Sequence, residues 1–498
     1  MNSQVIDIGS RRQFWFNTQD LIRESRLLKV LQRQPVKHPA NPLLVADKPW
    51  EGTLVQLFSC DVHYDANAGR WQMWYEGHPA EVLLCTAFSK DGIRWTKPSL
   101  GLEEYEGSKD NNIILQTGYP DAHCASIVKA PNEKDPTRRF KLYYWVGPEW
   151  FDSHILPKGL TPARVAAARK KIKAYPRNGH YVAFSRDGIR FTPQTAAPVL
   201  ATSDFNTTLF DERRDRYRSY HKIEYQKPTW SESRRCMWTS ESEDGVRFGE
   251  SRLVLAPDEI DDDLAKAVGG RRTEFYGMHA WPCEDFYLGL VWVFMVTGGN
   301  DRFGRGWDDG RIEPQLIYSA DGVDWRRPPV REPFIPHGPA DSFEAGSVYS
   351  TGDHPVVIGN EVRFYYFGVS YTHGCTEAIH SPNRHSGFGL ATLPRDRYVG
   401  WQGGAVAGTL ATKTIRFSGR DLLLNLDASH GETRVALLDA DGKPLPGFGT
   451  EDCEAISTES FDQVVKWHGS SDLSALAGRA VRVQFTLRQS ALYTWQFR

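Results

Sequence analysis

Carboxylates recur at one kind of place in this chain. Asp61, Asp121, Asp204, Glu274, Asp341 and Glu344 each stand at or just before a short apolar run. Each run leads into an aromatic segment: WQMWY at 71–75, KLYYW at 141–145, RYRSYH at 216–221, LGLVWVF at 288–294 and VRFYYF at 362–367. Acids that converge on one concave site suit glycosidic cleavage. One carboxyl gives a proton to the leaving oxygen, and a second, ionised, activates water or attacks the anomeric carbon. Mutual repulsion raises the pKa of one of them. The six acids are therefore the candidate catalytic residues. His123, Asn206, Tyr276, His279, Trp281 and His373 are the candidate substrate contacts. Glu274 lies near Phe275, Tyr276 and Trp281 and is the expected proton donor, because apolar surroundings raise a carboxyl pKa. Asp204 lies beside Ser203, Asn206 and Thr207 and is the expected base or orienting acid. Asp65, Asp211 and Asp215 read instead as turn residues.

Other chemistries have less support. There is no HExxH spacing, no Walker loop and no Gly-x-Ser-x-Gly elbow. No cofactor is called for, although oxygen ligands from several strands leave a structural axial Ca²⁺ open. Arg271, Arg272, His279 and His373 would suit a glycoside phosphorylase, in which phosphate replaces water. A non-catalytic glycan-binding protein is the third reading, favoured by stacking aromatics without a close acid pair.

A repeat specifies the elements that position these residues. Ser89-Lys90-Asp91-Gly92-Ile93-Arg94-Trp95 returns at 185–191, 242–248 and 319–325 as S-x-D-G-[IV]-x-[WF]. Asp-Gly supplies a turn, with Gly free to take positive φ, and the flanking apolar and aromatic residues share one strand face. Each copy closes a hairpin between the third and fourth strands of a small sheet. A fifth unit at 347–401 lacks Asp-Gly. The expected fold is all-β, a five-bladed β-propeller over 1–404, with residues 13–50 helping to close the ring. The segment 162–173 reads as an inserted helix, and 296–312 as a long loop walling the axial funnel. After about residue 405, period-2 alternation predicts a β-sandwich over 405–498.

Composition bounds the partners. The chain has 60 Lys+Arg against 62 Asp+Glu, which argues for neither nucleic acid nor an anionic membrane, and leaves a small carbohydrate as the expected partner. No apolar stretch is long enough to span a bilayer, and the first residues lack the pattern of a signal peptide. Seven cysteines without a CxxC pair read as reduced thiols of a cytoplasmic protein.

IDIGSRRQ at 6–13, KPWEG at 48–52, SKDGIRWTKPSLGLEEYEGSKDNNII at 89–114, TEFYGM at 273–278 and GTLATK at 408–413 resemble a bacterial group of five-bladed propeller glycosidases. That group lies near the invertase-like and arabinanase-like enzymes. The resemblance covers nearly the whole chain and implies a propeller with carboxylate chemistry. By it, a first-blade Asp is nucleophile or base, a middle-blade Asp orients and a Glu donates the proton. The nearest matches are Asp61, Asp204 and Glu274. The W-M-N-D-P-N and Arg-Asp-Pro motifs of the invertase-like enzymes are absent.

Overall fold

A computed structural model describes residues 5–16, 18–52, 55–56, 61–79, 82–116, 124–150, 162–225, 234–299, 308–352, 354–374 and 385–498. Five antiparallel sheets follow one another along the chain. Their first strands are Val62–Asp65, Ser126–Lys129, Asn206–Asp211, Arg272–Cys283 and Ser347–Ser350, and the aromatic segments form the second strands. Side chains bond each first strand to the next. Ile127 N donates to Asp61 Oδ2 (2.6 Å), Thr208 N to Ser126 Oγ (3.0 Å), and Thr207 Oγ1 to the Met278 carbonyl (2.7 Å); His279 Nδ1 meets Ser350 Oγ at 2.8 Å. These are the five blades of a propeller. The inserted helix is present as Pro162–Ile172.

The repeat is a latch between blades. Within each turn the Ser hydroxyl accepts from the Gly N–H and the Asp carboxylate accepts from the two N–H groups that follow it. The Gly carbonyl faces the second strand of the preceding blade. It accepts from Trp74 Nε1 at Gly188 (2.7 Å), from Tyr143 at Gly245 (2.8 Å), from Tyr220 at Gly322 (2.8 Å), and across the ring from Tyr365 at Gly92 (2.8 Å). At the same register in blade four the residue is Leu290, buried among apolar side chains. No Asp-Gly turn meets it, because blade five has no such hairpin. Its outermost strand is Val36–Lys37, paired with Ser386–Pro394. Closure of the ring by this early strand explains the missing fifth repeat.

The sandwich corrects the expected boundary at 404/405. Its two six-stranded sheets are built from both ends of the described chain. Ile6–Gly9 and Ile22–Arg26 join one sheet, and Gln13–Phe14, Leu28–Gln32 and Val399–Gly403 join the other. The edges of the C-terminal strands need partners, and the first strands supply them. One apolar core runs from Trp15, Phe417 and Trp495 of the sandwich to Leu288, Phe334 and Phe364 of blades four and five. The described cysteines, Cys85, Cys124, Cys236, Cys283 and Cys453, are free thiols. No helix among the described residues is long and apolar enough to cross a membrane.

Candidate active site

A charged cluster gathers where blades three, four and five meet. Asp204 precedes the first strand of blade three, Lys222 lies in the second half of its second strand, Arg216–Tyr225, and Arg235 is the second residue of its third, Arg234–Ser242. Arg272 and Glu274 lie at the start of the first strand of blade four. Period-2 geometry puts them on one face while Phe275 turns into the core. The ladder slips between Phe275 and Gly277, which frees Tyr276 from regular pairing. Asp308 opens the third strand, Asp308–Ser319, and His373 follows the second strand of blade five.

The contacts run in series. Lys222 Nζ lies 2.7 Å from Asp204 Oδ1, which also accepts from Ser203 Oγ at 2.8 Å. Burial opposes the Lys222 charge most strongly, but Asp204 and Tyr276 together outweigh it and the ammonium is pushed up. Lys222 sits 4.0 Å above the Tyr276 ring and Arg235 5.6 Å from it. Burial pushes the Tyr276 phenol up, against the Lys222 charge. Glu274, 1% exposed, accepts from Arg235 on Oε2 and from Arg272 on Oε1 at 2.6 Å. The same Arg272 nitrogen reaches Asp308 Oδ2 at 3.0 Å. Arg271 closes on Asp308 Oδ1 at 3.2 Å from the rim. Burial, then the Glu274 charge, raises the Asp308 carboxyl above the ordinary carboxylate range. His373 rests its Nδ1 2.9 Å from the Asp308 carbonyl, and burial with the nearby Arg235 pulls it down to about 4.

The arrangement brings together Asp204, Glu274, Tyr276 and His373 from the sequence-derived set and adds Asp308, Lys222 and Arg235. It also revises the part expected of Glu274. Both of its oxygens are engaged by guanidinium groups rather than set in apolar surroundings. Asp308, the acid with the raised carboxyl, was hidden in a segment read as a wall loop. Residues 300–307 lie outside the described residues, but 308–312 is strand.

Other candidates lie elsewhere. Asp61 is fully buried and braces blade two, since the side-by-side inner strands leave its carboxylate facing Ile127 N. His279 likewise spans to Ser350 inside the core, between Phe205 and Trp292. Asn206 is buried and accepts from Ser219 Oγ. Trp281 packs on Phe364 at the sandwich-facing end of its strand, about 23 Å from Glu274 at ~3.3 Å per residue. Asp341 and Glu344 line a separate groove on blade five. Asp121 and His123 lie outside the described residues. Among the described residues, no group of three or more His, Cys, Asp or Glu side chains is arranged to hold a metal ion.

No protein-family model matches the chain, and no curated protein matches it. Among solved structures it is similar to a thermostable family-43 glycoside hydrolase, at 12% identity over 68% of this chain and 89% of that one, TM-score 0.42. It is similar to a β-1,2-mannobiose phosphorylase from Listeria innocua, at 12% identity over 72% and 96%, TM-score 0.43. An N-acetylgalactosamine deacetylase from F. plautii, in complex with blood group B trisaccharide, shows 14% identity over 79% and 94%, TM-score 0.41.

Proposed function

We propose that this protein is a glycoside hydrolase acting on short oligosaccharides or glycosides, with Asp308 as proton donor and Asp204 as the ionised partner. The observation that carries this reading is the contrast between the two acids of the cluster. Asp308 is desolvated, next to a second carboxylate, and raised. Asp204 is ion-paired to a buried lysine and bonded by a serine. A desolvated acid alongside an ion-paired one is the asymmetry that acid and base roles require. Glu274 positions Arg235 and Arg272, and does not itself deliver the proton. Tyr276, with two cations over its face, forms the platform between the acids.

The cations favour one second reading. Lys222, Arg235, Arg271 and Arg272 converge around three carboxylates, and an incoming phosphate would find donors there, making the enzyme a phosphorylase. Turnover of a panel of aryl glycosides and disaccharides, with and without inorganic phosphate, separates the two. Hydrolysis releases free sugar in both conditions, whereas phosphorolysis yields sugar phosphate and needs the anion. In either case Asp308→Asn is expected to lower kcat by about 10²–10⁴-fold. Near-normal turnover of that variant would remove Asp308 from the mechanism.

A further inference from the structure

Three of the four latches carry a cation two residues before the ring that bonds the Gly carbonyl. Lys141 precedes Tyr143, Arg218 precedes Tyr220 and Arg363 precedes Tyr365. Each lies against the Gly of the neighbouring turn. Each is also ion-paired, Lys141 to Glu133 at 2.7 Å, Arg218 to Glu241, and Arg363 to Glu361 at 2.8 Å. In the latch between blades one and two the same position, before Trp74, is Gln72. Its amide is short and neutral, and donates to Thr86 Oγ1 and to the Gly188 carbonyl, both at 3.1 Å. A cleft of about 150 Å³ opens beside it, at the ends of the inner strands opposite to the axial cluster.

Four cations line this cleft. Arg70 begins the second strand of blade one, Lys129 ends the first strand of blade two, Arg139 precedes its second, and Arg186 follows its third. Aromatic rings steady two of them, since Arg70 lies 4.3 Å above the Phe88 ring and Lys129 5.9 Å from that of Phe140. Among the described residues none of the four forms a salt bridge. The two carboxylates of the cleft are engaged by their own turns. Asp65 accepts from Asn67 N and Ala68 N, and Asp187 from Ser185 Oγ, from Ile189 N and Arg190 N, and from the Arg190 guanidinium. Asp135, whose charge Arg186 also feels, accepts from Thr137 N and Oγ1.

We infer that the cleft binds a dianionic tetrahedral oxyanion, free or as the phosphoryl group of a sugar, held by Arg70, Lys129, Arg139 and Arg186. Guanidinium and ammonium groups that converge without acids of their own offer charge-assisted donors to such a group, and the guanidinium fork matches two of its oxygens at once. Four positive charges against Asp65 and Asp187 leave an excess of two, which a dianion balances. Size points the same way. A cleft of about 150 Å³ is below the roughly 300–1,000 Å³ of whole-ligand pockets. It has room for about five waters at ~30 Å³ each, the space of one oxyanion and its nearest water. None of the residues assigned to cleavage lines it.

The test is calorimetric titration of the full chain with inorganic phosphate, sulfate and glucose 6-phosphate at fixed ionic strength. A saturable site is expected whose affinity falls about tenfold or more in Arg139→Ala and again in Arg186→Ala, each of which removes one charged donor. Both arginines are exposed, so thermal unfolding of the variants should match wild type. Arg271→Ala, which trims the axial cluster, should leave this site unchanged, and that separates it from any phosphate bound for phosphorolysis. Equal binding of the three probes identifies the free ion as sufficient, and tighter binding of glucose 6-phosphate identifies a sugar phosphate; either supports the assignment. Absence of binding by all three overturns it. So does binding that Arg139→Ala and Arg186→Ala both retain.

Discussion

Arg272 touches two acids through one nitrogen, and that contact sets what single substitutions should do. Glu274 is buried between Arg235 and Arg272. Glu274→Gln would remove the carboxylate that two guanidinium groups share and leave Asp308 as their remaining acid, at a cost of about 3 kcal/mol. Urea unfolding should show that loss, and an unchanged midpoint would mean the arginines are satisfied elsewhere. The pH profile tests Asp308. Its carboxyl is raised, so its proton persists above the usual carboxylate range and is lost as pH rises. The alkaline limb of kcat/KM should follow that loss and disappear in Asp308→Asn. His373, drawn down to about 4, is neutral well before neutral pH, so His373→Gln should keep the limb. Asp204, Glu274 and Tyr276 were legible because each stands where an inner strand begins. Asp308 was not, because Asp308-Asp309-Gly310 reads locally as a turn. Lys222 and Arg235 were hidden too, since nothing in an aromatic strand shows which of its cations faces the axis.

Among the elements, the latch gives the sharpest expectation. Tyr143→Phe removes the donor to the buried Gly245 carbonyl and should cost about 1–3 kcal/mol, as should Tyr220→Phe at Gly322. Gly245→Ala should cost more. Its φ is +70°, and a Cβ there would come within 2.8 Å of the Tyr143 hydroxyl. Leu290→Tyr should gain nothing, because blade five offers no turn to receive it, and the added bulk would strain a filled core by about 1–3 kcal/mol. Denaturant midpoints check all four, and a neutral Tyr143→Phe would reduce the latch to packing. The four turns were readable from their own residues. Their partners were not, because each lies on another blade and only the fold brings it near.

For the whole molecule, the shared core makes propeller and sandwich one cooperative unit. Trp15 and Trp495 belong to the same apolar cluster as Leu288 and Phe364. Calorimetry should therefore show a single unfolding transition, and two resolved peaks would mean that the halves fold apart. The number of blades and the presence of a sandwich follow from local pattern, the repeat and the period-2 alternation. Membership of residues 6–32 in the sandwich does not, because it depends on pairing across some four hundred residues, which no window of sequence contains.

That pairing has a consequence for biosynthesis. On a ribosome adding roughly 5–20 residues per second, Ile6–Gly9 is made on the order of 20–80 s before its partner strand. Blades can meanwhile latch one onto the last as they emerge, in the order of translation. The earliest strands spend that interval as open edges, which makes them the part of the nascent chain most in need of a chaperone.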